Sequence, residues 1–312
     1  MTLAEALAAM EAQPSGVGEL SPLDGTAVER LGQLIQQQGG LHVSLDCRDK
    51  VMAISDAEFV EVILPLCCWL TGLADAHHTK AKGRVLVAIV GAAAAGKSTL
   101  AELVCAACRL LQGTKSWIQC VSMDGYSFRN SYLASQSATD HLGHPCSLKE
   151  IKGAPSTLDA DALLRDLLLL RSCTSNTDAI LLPAYNRDLH DPVQDCIAVS
   201  PGCRVVVVEG LHLLHGEGRW QDISNAFHRT VFLDIERSCC FERVVSRKVA
   251  NGRSQESSEA HFLRVDGPTF DQLQEDKKRA HVVLAMRPTK DKALHISNVE
   301  ARFPPGGLQE VL

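Results

Sequence analysis

The sequence has no excess of positive charge: 31 Lys and Arg stand against 37 Asp and Glu, for a formal net charge of −6. Without a net basic surface there is little counterion release to gain from a polynucleotide, so nucleic acid is excluded as the expected main partner. Nor does it hold an uninterrupted apolar run of the ~20 residues a bilayer crossing needs. The longest candidate, Phe59 to Ala74, is broken by Glu61 and Pro65, and no membrane segment is expected. The opening "MTLAEALAAMEAQ" lacks a basic stretch followed by a long apolar one. The 12 cysteines are therefore expected to be reduced thiols of a cytoplasmic protein rather than a disulfide framework. No internal repeat is present, and "GEGRWQ" at Gly216 lacks the third glycine of a dinucleotide fingerprint. Cys105 and Cys108 have the C-x-x-C spacing of a metal site, but no second pair or suitably spaced histidine accompanies them. They read as one buried face of a helix. His141/His144 and His212/His215 likewise lack carboxylate or thiol partners nearby, and zinc is not expected.

What is present is apolar material, 46% of 312 residues, enough for one large α/β domain with a small addition. Up to about residue 80 the chain reads as helices: "LAEALAAM", "GTAVERLGQLIQQQGG" and "DAEFVEVILPLCCWLTGLADA". These could cap a sheet, form a homodimer contact or bind a regulator, capping being the simplest use. From Arg84 the pattern changes to short β-branched runs alternating with longer helical segments, which argues a parallel sheet covered on both faces. Strands are expected at Val85–Val90, Trp117–Ser122, Ala179–Leu182, Val205–Val208, Val231–Asp234 and Val282–Ala285. Helices are expected near Ser98–Leu111, Leu158–Arg171, Cys239–Ala250 and Phe270–Ala280. The fold expected is α/β, a P-loop nucleotide-kinase-like three-layer fold with a mainly parallel sheet plus an N-terminal helical extension. Residues 1–80 would be that extension, 81–290 the P-loop domain, and 291–312 a C-terminal strand and Pro/Gly-rich tail.

The stretch Gly91-Ala92-Ala93-Ala94-Ala95-Gly96-Lys97-Ser98-Thr99 follows the first strand and fits G-x-x-x-x-G-K-[ST]. Small side chains let successive backbone N–H groups approach phosphate oxygens, and a helix starting near Lys97 points its unpaired N–H groups at the same place. Lys97 would reach the β- and γ-phosphates and Ser98 would hold Mg²⁺, with ATP as the nucleotide. In a parallel sheet the site lies at the carboxyl ends of the strands. Four runs end in suggestive residues: Gly91, "MDGY" with Asp124 and Tyr126, "PAYNRDLHDP" with Tyr185, Arg187 and His190, and Glu209. If all four strands are parallel, these groups share one edge. Asp124 could then accept the proton of an attacking hydroxyl, as phosphoryl transfer to an alcohol requires. Glu209 fits an acidic residue orienting Mg²⁺. Arg243 and Arg247, four apart on a helical face, could neutralise a phosphoryl group in flight, although surface ion pairing is the ordinary use of such residues.

Taken together the chain resembles the phosphoribulokinase, uridine kinase and pantothenate kinase family of P-loop enzymes, nearest to bacterial pantothenate-kinase-like proteins labelled nucleoside or fructose kinase-like. The blocks that carry the resemblance are "LPLCCWLTGLA", "GAAAAGKSTLA", "MDGYSF", "IKGAPSTLD", "LPAYNRDLHDPV", "VVEGLHLL" and "RVVSRKVANGRSQESSEAHFLRVDGPTFDQL", spanning about Val60 to Val283. The resemblance implies that Asp124 is the catalytic base, that Lys97 and Ser98 serve the phosphates and metal, and that Glu209 assists Mg²⁺. It moves Arg243 and Arg247 toward a lid role. Lys152 resembles the pantothenate kinase block beside the substrate pocket, whereas Tyr185 and His190 resemble the pocket of uridine kinases, so the acceptor stays open among nucleosides, sugars and pantothenate-like molecules. Two departures stand out: Ala94 occupies a position usually glycine, and Val265 and Thr269 replace residues that are commonly Asn. The alternatives are a P-loop ATPase or nucleotide switch whose acceptor is water, and a nucleotide-binding protein without turnover.

Overall fold

The computed structural model describes residues 4–5, 25–45, 48–80, 83–172, 178–287 and 295–301. Most of the "LAEALAAM" segment and the Pro/Gly-rich tail lie outside them. The first complete element is helix α1 (Gly25–Gln37), followed by an antiparallel hairpin of β1 (Leu41–Leu45) and β2 (Arg48–Met52) that the helical reading of this region passed over. A capping box, with Ser55 and Glu58 each satisfying the other's backbone N–H, starts the next helix. It runs through a π-turn at Phe59–Ile63 into α2 (Leu64–Lys80). Glu61 and Pro65 therefore do not break this helix: the π-turn ends just before Pro65, so the missing N–H falls where the regular ladder is already interrupted. By length and composition alone Asp56–His78 is long and apolar enough to cross a membrane, and half of it is buried inside the fold. Val62, Ile63, Leu66, Cys67, Trp69 and Leu70 belong to the same apolar core as the sheet.

The central sheet takes its strands from runs that are apolar on both faces. β3 (Val85–Gly91) leads into the loop and then helix α3 (Lys97–Gln112), which α1, β1 and α2 cover. Next comes β4 (Ile118–Ser122), whose last residue caps a single 3₁₀ turn, Met123–Tyr126. Past it lie α4 (Asn130–Ser135), a two-stranded arm of β5 (Ser137–Thr139) and β6 (Pro145–Ser147), and α5 (Ala160–Ser172). β7 (Ile180–Asn186) and β8 (Asp191–Val199) follow, then β9 (Val205–Gly210), α6 (Gly218–Ala226) and β10 (Arg229–Asp234). The chain continues through α7 (Arg237–Ala250), α8 (Gln255–His261) and α9 (Gly267–Asp276) to β11 (Val282–Arg287) and β12 (His295–Ala301). The spatial order is β12-β11-β10-β3-β9-β4, in which the five strands from β11 to β4 are parallel and β12 is antiparallel at the edge. Every residue of β3 and β9 is buried. This is the α/β P-loop kinase fold.

The expected third parallel strand is not part of this sheet. Ile180–Asn186 pairs antiparallel with β8 from Ile180↔Val199 to Asn186↔Asp191, with a register shift between Leu182 and Ala184. Pro183 between them has no N–H to give to a central ladder, and Leu181 is half exposed, so the segment has only one face to bury. β8 was unread because Gln194, Asp195 and Cys196 along its middle are polar or exposed.

Candidate active site

The phosphate loop leaves β3 at Gly91, where a side chain is excluded by neighbours: a Cβ there would lie 2.6 Å from the Leu233 carbonyl oxygen of β10. The turn needs left-handed backbone at Ala94 (φ 58°) and Gly96 (φ 97°). Gly96 adopts this freely, whereas at Ala94 the Cβ crowds the following carbonyl. Gly96 is also the residue before α3, so the first N–H groups of that helix open onto the loop. The Lys97 ammonium is almost fully buried and donates to the Ala92 carbonyl at 2.9 Å. Burial lowers its pKa, and the carboxylates of Glu209 and Asp124 oppose that shift.

Sheet register then brings the acidic groups alongside. Ser122 of β4 and Ile89 of β3 both face Glu209 of β9. Glu209 is buried, and its carboxyl is pushed up, first by burial and then by the charge of Asp124, while Lys97 and hydrogen bonds from Ser122 and Ser98 hold it back. Asp124 sits in the 3₁₀ turn two residues past Ser122, its N–H donated to Ser122 Oγ at 3.3 Å, with its side chain 42% exposed. The close approach of this turn is set by two glycines: a Cβ on Gly125 would meet the Pro183 carbonyl oxygen at 2.6 Å, and one on Gly210 would meet Met123 Cβ at 2.6 Å. Ser98, Glu209 and the turn thus offer hard oxygen donors at one point. Among the described residues no cluster of three His, Cys, Asp or Glu side chains is assembled for a metal cage.

Gly125 is also what docks the β7–β8 hairpin, and the hairpin delivers the third group of side chains by a different route from the one the parallel-strand reading implied. Arg187 Nη2 lies 3.7 Å from Asp124 Oδ2. Tyr185 donates its hydroxyl to the His190 carbonyl at 2.8 Å, and burial and the Asp124 charge push that hydroxyl up to about 12. Lys152 donates to Asn130 Oδ1 at 2.8 Å and to the His190 carbonyl at 2.9 Å, and lies 5.0 Å from the centre of the Tyr185 ring. His190 enters through its backbone, in left-handed geometry (φ 53°).

From the other side α7 closes on the loop: Arg243 Nη1 is 3.5 Å from the Ala94 carbonyl oxygen and Cys240 Sγ is 3.3 Å from that of Ala93. The charge of Arg247 is felt by Lys97, lowering its pKa further. Beyond the turn at Gly252 (φ 90°), Arg264 bridges Asp140 at 3.0 Å and Glu150 at 3.2 Å, joining the π-turn between α8 and α9 to the β5–β6 arm. Val265 is buried, and its Cγ1 would lie 3.9 Å from a Cβ on Gly153.

One expected site residue is placed elsewhere. Tyr126 is 4% exposed, and its hydroxyl donates to Asp166 Oδ2 of α5 at 3.0 Å, in a separate polar cleft lined by Arg129 and Arg165. Successive side chains of a 3₁₀ turn leave it about 120° apart, so Asp124 and Tyr126 face different ways despite their adjacency. Thr99 is half-buried on α3. Four contributors went unread as site residues. Ser122 could have been found as the polar terminus of an apolar strand; Asn130 and Asp191, joined at 2.7 Å, carry no local signal. Buried His212, two residues past β9, contacts the Gly153 carbonyl through Nε2 at 2.8 Å and is held neutral by burial, its pKa down to about 4. Among the described residues all ten cysteines are free thiols.

Residues 86–293 match the sequence profile of the Phosphoribulokinase / Uridine kinase family. The uncharacterized protein YggC of Escherichia coli (strain K12) is 29% identical over 183 residues, covering 58% of this chain and 68% of that protein. A uridine kinase of Shewanella sp. (strain W3-18-1) is 28% identical over 210 residues, covering 67% of this chain and 90% of that one. Among solved structures, one from Silicibacter sp. TM1040, described as a candidate fructose transport system kinase, superposes with a TM-score of 0.56 at 26% identity. That match covers 67% of this chain and 94% of the other.

Proposed function

The chain belongs to the phosphoribulokinase/uridine kinase family, and from that premise we propose that it transfers the γ-phosphoryl group of ATP to a hydroxyl of a small acceptor of the nucleoside, sugar or pantothenate-like kind. The observation that carries the reading is Asp124. It is close enough to act on the charges of Lys97 and Glu209 on the nucleotide side and on those of Lys152 and Tyr185 on the other. A phosphoryl transferase needs a base between those two half-sites, where the hydroxyl must stand.

In this reading ATP is a substrate held by the N–H groups of Gly91 to Thr99 and by Lys97. Ser98 and Glu209 would hold Mg²⁺; their hard oxygens suit that ion, which takes few protein ligands beside phosphates and supplies charge neutralisation when bound. The acceptor oxygen attacks phosphorus, its proton passes to Asp124, and the bond from phosphorus to the β–γ bridging oxygen breaks with its electron pair leaving on ADP. Arg187, 3.7 Å from its carboxylate, orients Asp124. Lys97, Arg243 and Arg247 face the transferred group as its charge spreads. Tyr126 is assigned no step, its hydroxyl donating to Asp166. The reading includes the cytoplasmic setting expected from the sequence.

The test follows ADP release across nucleosides, ketoses, glycerate and pantothenate. Asp124→Asn should keep ATP affinity by calorimetry and lose acceptor-stimulated turnover on the order of 10²- to 10⁴-fold. Undiminished turnover removes Asp124 from the chemistry. A wild-type rate that no acceptor raises overturns the kinase reading in favour of a nucleotide switch.

A further inference from the structure

The polar groups on the acceptor side of Asp124 are largely occupied by one another. Tyr185 gives its hydroxyl proton to the His190 carbonyl, the Asn130 amide gives an N–H to the same carbonyl at 2.8 Å, and its oxygen receives Lys152. Asp191 Oδ1 receives the Asn130 backbone N–H. Tyr185, Asn130 and Asp191 are thus engaged within the protein itself. What is left is charge. The Lys152 ammonium has three N–H groups, and the partners of two of them, Asn130 Oδ1 and the His190 carbonyl, are neutral. Among the described residues no carboxylate oxygen lies within ion-pair distance of it. Asp191 and Asp124 act on it only from further away, and Lys149 opposes them. Arg187 stands on the same tyrosine ring, 5.9 Å from its centre against 5.0 Å for Lys152. A half-buried ammonium with only neutral partners is a costly arrangement unless an anion completes it.

We infer that the acceptor is itself an anion, carrying a carboxylate or phosphate group near its transferable hydroxyl, and that Lys152 receives that group. This rests on the kinase reading above. The anionic group is a handle and takes no part in the bond changes. The hydroxyl oxygen bonds to phosphorus, its proton goes to Asp124, and ADP leaves as before.

The experiment uses the full chain with ATP and matched acceptors that differ in charge: glycerate against glycerol, pantothenate against pantothenyl alcohol, and ribulose 5-phosphate against ribulose, with uridine and fructose as further neutral acceptors. The charged member of at least one pair should be turned over with a kcat/KM ten- to a hundred-fold above its neutral partner, and the pair that responds separates a carboxylate from a phosphate handle. Lys152→Met should raise the KM for that acceptor by about ten- to a hundred-fold, as loss of a charge-assisted contact predicts, and leave the KM for ATP in place. Lys152→Arg should recover part of the loss, which a purely structural lysine would not require. A preference for neutral acceptors, or equal use of both, overturns this inference and leaves the kinase reading standing. Turnover with no acceptor of either kind overturns both.

Discussion

Three histidines are built into this protein as neutral groups, and lowering the pH should find them. His212 is held at about 4, His228 at about 3 and His281 at about 4, in each case chiefly by burial. The neutral ring is also what the contacts require: His228 Nδ1 accepts the Leu86 backbone N–H at 3.0 Å, which its protonation would abolish. Unfolded, all three titrate near the ordinary histidine value of ~6.5. Their folded pKa values are depressed, so the neutral rings stabilise the fold fully above pH 6.5. That contribution is lost as the pH falls toward the folded values, because only the unfolded chain takes up the protons. At about 1.4 kcal/mol per pH unit per proton, each ring forfeits about 2 kcal/mol between pH 7 and pH 5, and the three together about 6 kcal/mol. That is a large share of the ~5–15 kcal/mol by which domains are stable. Glu209, Glu102 and Asp276, whose carboxyls burial pushes up, act in the opposite direction. The measurement is therefore a difference: urea unfolding of wild type and His228→Gln at pH 7 and pH 5. Gln keeps an acceptor for Leu86 and cannot titrate, so the variant should lose about 2 kcal/mol less on acidification. Equal losses in the two proteins would refute the reasoning.

Two further perturbations probe the loop and α7. Ala94→Gly removes a Cβ from left-handed backbone, a relief of ~1–2 kcal/mol offset by ~0.4–1 kcal/mol of unfolded-chain entropy, so the melting temperature should rise by about 1–4 °C; a fall would show that the alanine is unstrained. Arg247→Ala should lower kcat on the order of ten- to a thousand-fold with little change in ATP affinity by calorimetry, and a matching loss in both would show that the guanidinium serves binding rather than transfer.

The sheet and phosphate loop were legible because their signals are local. Val85–Val90 and Val205–Val208 are β-branched runs with no polar face, and Gly-Lys-Ser-Thr marks the helix that follows. The convergence of Gly91, Asp124 and Glu209 then required only that β3, β4 and β9 be parallel, which they are. What could not be read was pairing. Nothing within Ile180–Leu182 distinguishes a central parallel strand from half of a hairpin except Pro183 and the exposure of Leu181, and the second is known only once the fold is formed. The β1–β2 hairpin, lying between two helices, was missed for the same reason. At the site, adjacency in "MDGY" placed Asp124 and Tyr126 in one group, but the tight turn separates them. Asn130 reaches Lys152 and His190 only through tertiary packing.

The β7–β8 ribbon lies outside the main sheet and rests on the turn carrying Asp124 through the close seat at Gly125. On the proposed reading, nucleotide handling belongs to the main sheet and its loop, whereas Tyr185, Arg187 and His190 ride on an appended finger that meets Lys152. Exchanging the tip of that finger, residues 186 to 190, could redirect which molecule is phosphorylated while the engine beneath it stays the same.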